Sequence, residues 1–151
     1  MNNITNDFTK FTTYITPPPE EVNGTYAERI ERVKQQVKPQ TETRQKVVIL
    51  GAGPAGLIRA ITSIINGNPT HIIEKRAEDA PKRDNAVALN EVGTVDELKK
   101  LGVYQYLVEN KLIFPEKVEL SDDKKYTITS GINVRLGDLE EALKTVLKAI
   151  R

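Results

Sequence analysis

Cysteine and tryptophan are absent from this chain, and histidine and methionine occur once each. Without cysteine there is no disulfide framework, no thiol nucleophile and no thiolate metal site. Imidazole chemistry has one candidate, His71, set inside an apolar stretch where a packed or edge-strand residue is the expectation. No metal site is expected. No apolar run approaches the roughly 18 residues of a membrane-spanning helix, so no membrane partner is expected. Neither charge dominates: 22 Lys and Arg stand against 21 Asp and Glu, a net charge of +1. Nucleic acid is therefore not implied by charge. The opening residues, Met1 to Asp7, lack the basic and apolar regions of a secretory signal, and a cytoplasmic protein is expected. There is no internal repeat and no low-complexity tract.

What is present centres on Lys46 to Glu74, which reads KVVILGAGPAGLIRAITSIINGNPTHIIE. Val47 to Leu50 is a short apolar run of the kind a strand buried on both faces shows. Gly51-Ala52-Gly53-Pro54-Ala55-Gly56 follows at once and fits G-x-G-x-x-G. Leu57, Ile58, Ile61, Ile64 and Ile65 then recur mostly at helical spacing, and Asn66-Gly67-Asn68-Pro69 carries stop signals. A second apolar strand, His71 to Ile73, ends on Glu74, 23 residues after Gly51.

Strand, glycine turn, helix, strand and acid in that order form the dinucleotide-binding βαβ pattern. Each part has a reason. Gly51 permits the tight turn, Gly53 lets a pyrophosphate approach the backbone, and Gly56 lets helix pack closely on strand. The helix start offers free N–H groups and a positive dipole end to the phosphate. Pro54 stands near that start, where a missing N–H costs little. Glu74 can accept hydrogen bonds from an adenosine ribose. This spacing does not by itself separate FAD from NAD.

Around that unit the chain, at 151 residues and 38% apolar, has the size of one domain. Residues 1–24, rich in Thr and Asn and containing Pro17-Pro18-Pro19, read as an extended or disordered arm. Thr25 and Glu28 form a capping-box pair opening a packing helix over 25–38, with Tyr26, Ile30, Val33 and Val37 on one stripe. Residues 39–45 are a polar linker, and 46–151 form the nucleotide-binding domain. After Glu74 comes a charged loop through Asn85, then the apolar segment 86–89. Thr94 and Glu97 repeat the capping spacing before a helix closed by Gly102, and a further helical turn runs from Val103 to Leu107. Two strands are expected over Lys117–Leu120 and Lys125–Arg135, with a turn at 121–123. Asp138 and Glu141 suggest a third capping pair, before a helix bearing Leu139, Leu143, Val146, Leu147 and Ile150.

The wording GAGPAGL…EKR resembles the FAD-binding start of the class A flavoprotein monooxygenases. The continuation is most similar to the MICAL-type monooxygenase domain, which oxidises actin methionines. The matching residues are Glu74-Lys75-Arg76, then Arg83-Asp84-Asn85-Ala86-Val87, then Thr94, Glu97-Leu98 and Leu101-Gly102. Ile132-Asn133-Val134-Arg135 stands where that family has an Ile-x-Ile-Arg strand. The resemblance covers roughly residues 46–150 and is most specific over 46–76. Two departures stand out. That family has Leu-His-Leu-Trp where this chain has Val87-Ala88-Leu89-Asn90, and the spacing from Arg135 to Leu139 needs a one-residue slip.

The resemblance implies an α/β, Rossmann-like FAD/NAD(P)-binding fold: three layers, a mainly parallel sheet and flanking helices, with an N-terminal helical arm. Gly51, Ala52, Gly53, Pro54, Ala55 and Gly56 would hold the FAD pyrophosphate. Glu74 would bind the adenosine ribose, with Lys75 and Arg76 beside the adenine. Arg83 and Asn85 would contact phosphate or ribityl chain, and Arg135 would approach FAD from a later strand. The implied function is the FAD-binding portion of an NAD(P)H-dependent monooxygenase, with NADPH as co-substrate of the whole enzyme. The alternatives are a non-catalytic adenine-dinucleotide or protein-interaction module, and an NAD-binding domain; the GPAG wording and the Arg83 loop favour FAD. Such enzymes need more than one domain's length, so the fold is expected to be incomplete. Self-association or a missing C-terminal region is then expected to complete it, with no turnover from this chain alone. No residue is nominated as catalytic, and nothing in the sequence supports a protein substrate.

Overall fold

In a computed structural model of the protein, the residues described are 24–114, 118–121, 124–126 and 131–151. The expected arm over 1–24, with its three prolines, lies almost wholly outside them. Helix α1 (Tyr26–Gln36) opens on the predicted capping box. Glu28 N–H donates to Thr25 Oγ1 at 3.2 Å and Thr25 N–H to Glu28 Oε2 at 3.0 Å. Its Ile30 and Val33 are buried in the common core, so α1 is a wall of the fold.

Strand β1 (Val47–Leu50) leads through the glycine turn into α2 (Pro54–Ile65), and β2 (Thr70–Ile73) returns parallel to β1. A parallel return requires a crossover, and α2 supplies it. The end of α2 follows from Asn66-Gly67-Asn68. Gly67 N–H bonds Ile64 O at 2.8 Å, Asn68 N–H bonds Ser63 O at 2.9 Å, and Gly67 takes φ 78°. That is a Schellman closure.

Beyond β2 the strands depart from the expected mainly parallel sheet. Strands β3 (Ala86–Asn90), β4 (Ile113–Phe114) and β7 (Gly131–Arg135) form an antiparallel sheet in the order β3-β7-β4. Strands β5 (Val118–Ser121) and β6 (Lys124–Tyr126) pair antiparallel by themselves. Among the described residues β1–β2 is the only parallel pair. The reason is connectivity: among the described residues the stretch from β4 to β7 carries the β5–β6 pair and no helix of the kind a parallel neighbour needs. Of the single strand expected over Lys125–Arg135, the described residues fall in β6 and β7, which pair in different sheets; residues 127–130, and 122–123 of the expected turn, lie outside the described residues.

Two predicted caps are also corrected. Helix α3 (Asp96–Leu101) has Val95 as N-cap, with no side-chain cap, because a π-helical turn over Glu91–Val95 feeds it. A chain already coiled supplies carbonyl partners to the first-turn N–H groups, so Thr94 is not needed there. Gly102, at φ 81°, separates α3 from α4 (Val103–Glu109) as expected. Helix α5 (Leu136–Ile150) begins before Asp138, which lies in its first turn. Its leading N–H groups are taken by the charged loop: Leu136 N–H bonds Asn85 O at 2.8 Å and Gly137 N–H bonds Arg83 O at 2.9 Å. A tertiary contact caps this helix in place of the Asp138–Glu141 pair.

Helix α5 occupies the middle, packed against α1, α2, α4 and β7. Its Leu143 and Val146 are fully buried, as are Leu57 and Ile61 of α2. On β1, by contrast, only Ile49 is buried, facing the core, while Val48 (59% exposed) and Leu50 (79% exposed) point outward with Ile73 of β2. The expectation of a strand buried on both faces is thus corrected: alternation along the pleat gives one face to the core and leaves the other bare. No helix among the described residues is long and apolar enough to cross a membrane.

Candidate functional site

The site begins where β1 ends. Gly51 N–H extends the β1–β2 ladder to Ile73 O at 2.7 Å, and a φ of 96° turns the chain toward α2. That conformation is strained for any residue with a Cβ. Gly56 is fixed by space instead: a Cβ there would lie 2.1 Å from Gly51 O and 3.3 Å from Ile49 Cγ2. Gly53 is uncrowded. Among the described residues only Arg83 Nη2, at 3.9 Å, comes near a Cβ built on it.

Gly53 is also the N-cap of α2. No side chain caps that end, and Pro54 occupies the first turn. The leading N–H groups and the positive end of the helix dipole thus have no side-chain cap beside Gly53.

Glu74 ties the two strands together at this end. Its Oε2 accepts from Ala52 N–H at 2.6 Å and its Oε1 from Arg76 N–H at 2.8 Å. These backbone donors, Arg76 first and Ala52 second, hold the carboxyl below its ordinary pKa, against a smaller opposing effect of burial. A carboxylate has about four acceptor positions, so this one retains capacity for ribose hydroxyls.

The charged loop folds back over the turn. Arg76 Nη2 donates to Pro81 O at 2.7 Å, and its Nη1 lies 3.6 Å from Glu140 Oε2. Arg83 Nη2 pairs with Glu140 Oε1, and Lys82 pairs with Glu141. Lys75 is exposed beside Glu74. Asn85 is exposed, and its carbonyl caps α5. Arg135 ends β7 opposite Ala86, one residue from Asn85, and is exposed. The structure thus gathers Gly51–Gly56, Glu74 and Arg83 at one point, joins Arg76 to Arg83 through Glu140, and sets Asn85 and Arg135 side by side at the start of α5.

Sequence reasoning missed Glu140 and Gly137. The signal for Glu140 was present: it falls on the apolar stripe Leu136, Leu143, Leu147, where a charge is out of place. Gly137 carried no local signal. A Cβ there would lie 2.9 Å from Arg83 O, so glycine lets α5 close on the loop.

A pyrophosphate fits this arrangement. Gly53 is uncrowded, the helix start is uncapped, and an adjacent guanidinium has its Nε buried without a hydrogen-bond partner. An adenosine ribose fits beside Glu74. A glycine turn at a strand–helix junction, an acid at the tip of the next parallel strand and a flanking arginine define a dinucleotide-binding site. The FAD binding domain family matches residues 44–122, just over half of the chain, which belongs to that family, of the class A flavoprotein monooxygenase type. FAD is its cofactor. No curated protein matches the chain.

Proposed function

We propose that this chain is the FAD-binding portion of an NAD(P)H-dependent flavoprotein monooxygenase, and that it holds the ADP half of FAD at the β1–α2 turn. When bound, FAD supplies the redox chemistry; the protein binds, orients and shields it. Gly53 and the start of α2 receive the pyrophosphate, Arg83 neutralises part of its charge, and Glu74 accepts from the ribose. Lys75 and Arg76 flank the adenine end, Asn85 contacts phosphate or ribityl chain, and Arg135 approaches FAD from β7. The observation that carries this reading is the placement of Arg83 Nη2 3.9 Å from the Gly53 Cβ position, over a helix start that no side chain caps.

Within the class, the wording of Arg83–Val87 and Ile132–Arg135 resembles the MICAL type. Val87-Ala88-Leu89-Asn90 lacks that family's His and Trp, so actin is not proposed as the substrate. The alternative is a module that binds FAD without turnover.

Three measurements test the proposal. Purified protein supplied with FAD should show a bound flavin spectrum, and calorimetry should show ADP competing for the same site. NADPH oxidation with added FAD should stay at the free-flavin rate; flavin-dependent oxidation well above it would show that this chain alone is a complete enzyme. Failure to bind either FAD or ADP would overturn the reading.

A further inference from the structure

We propose that Glu140 is a positioning residue for the cofactor, holding the Arg83 guanidinium beside the glycine turn so that it meets the pyrophosphate preformed. The inference rests on the reading of residues 51–56 as the pyrophosphate cradle.

Glu140 is 5% exposed. A carboxylate at that depth requires ionic or hydrogen-bonding partners, and both of its oxygens have them: Oε1 pairs with Arg83 Nη2, and Oε2 lies 3.6 Å from Arg76 Nη1. Its own position is fixed. It sits on α5 between Leu139, Ala142 and Leu143, all buried in the core. The backbone below Arg83 is fixed to the same helix through Gly137 N–H to Arg83 O and Leu136 N–H to Asn85 O. Loop backbone and loop side chain are thus referenced to one rigid element.

The pairing leaves Arg83 available to a ligand. A guanidinium carries five N–H donors. One bond goes to Glu140, while Nε is buried with no hydrogen-bond partner. The Arg83 side chain is 41% exposed, against 7% for Glu140, so part of it stays accessible while its partner is enclosed.

Position and charge make opposite predictions for Glu140. Removing its charge raises the local potential, so a purely electrostatic role predicts tighter anion binding. A positioning role predicts weaker binding, because Arg83 must then be ordered when the ligand arrives.

Full-length protein is titrated with ADP, and with adenosine by displacement of FAD, for wild type, E140Q, E140D, E140A, R83A and E140A/R83A. The expected result is ADP binding about three- to tenfold weaker for E140A, the range for ordering one long side chain. Adenosine binding should not change. E140D keeps the charge but shortens the reach and should weaken ADP binding. E140Q keeps length and an acceptor oxygen and should stay within about twofold of wild type. In the R83A background E140A should have no further effect. Equal or tighter ADP binding by E140A and E140D overturns the inference, as does an equal loss for adenosine, which marks a merely structural role. Should E140A fail to fold, E140D against E140Q decides by the same signs. Gly53→Val, run in parallel, separates the two readings. Loss of ADP binding in G53V with no effect at Glu140 sinks this inference alone, whereas normal ADP binding in G53V removes the cradle itself.

Discussion

The carboxylate of Glu74 accepts a hydrogen bond from the backbone N–H of Ala52 at 2.6 Å, joining the tip of β2 to the turn after β1. The acid is therefore part of the scaffold of the turn as well as the proposed ribose acceptor. Its substitution should act on both.

Glu74→Ala should weaken FAD binding by roughly tenfold, as expected for a lost charged hydrogen bond, and loosen the 51–53 turn. Calorimetry with FAD and with ADP checks the first effect. An unchanged dissociation constant for both ligands would leave Glu74 as scaffold only.

The same hydrogen bonds fix a pH dependence. The folded-state pKa of Glu74 is depressed, by the Arg76 and Ala52 N–H groups above all. Its contribution to stability is then fully present above the unfolded-state value of about 4.3. It declines below that and is gone under the depressed folded value. Thermal unfolding between neutral and acid pH should show wild type losing more stability than Glu74→Gln over this window. Parallel curves would contradict the assignment.

Gly53→Val places a branched side chain in the space that faces Arg83. ADP binding should be abolished with little change in thermal stability, because a Cβ there meets nothing closer than 3.9 Å. Gly56→Ala should do the reverse. Its Cβ would lie 2.1 Å from Gly51 O, so stability should fall by about 1–3 kcal/mol or more, as overpacking does. Denaturant unfolding of the two variants side by side distinguishes ligand room from packing room.

The outward face of β1 should tolerate change that the core does not. Leu50→Thr alters a side chain 79% exposed and should shift stability by no more than about 0.5 kcal/mol. Leu143→Ala empties a fully buried position of α5 and should cost about 2–5 kcal/mol. Equal losses would mean that the bare face is covered in solution.

How much of this was legible in the sequence divides by distance along the chain. The β1–α2–β2 unit, the Thr25 capping box, the Gly67 and Gly102 stops and the acid at the end of β2 all rest on residue types a few positions apart, or on one crossover. Local sterics and hydrogen bonding fix them, and residue type alone reveals them. The caps at Thr94 and Asp138 looked equally local and failed, because backbone carbonyls from a π turn and from the charged loop reached those N–H groups first.

The sequence by itself determined that this chain carries a dinucleotide-type βαβ turn with glycines at three positions and an acid after it. Those are consequences of backbone geometry, and no later contact alters them. Only the tertiary structure decided that Glu140, 57 residues from Arg83, is buried against it. It also decided that α5 is capped by the loop it clamps, that Gly137 is needed for that closure, and that one face of β1 stays bare. Burial and charge pairing between distant segments depend on how elements pack, and no periodicity within a segment encodes what will lie across from it.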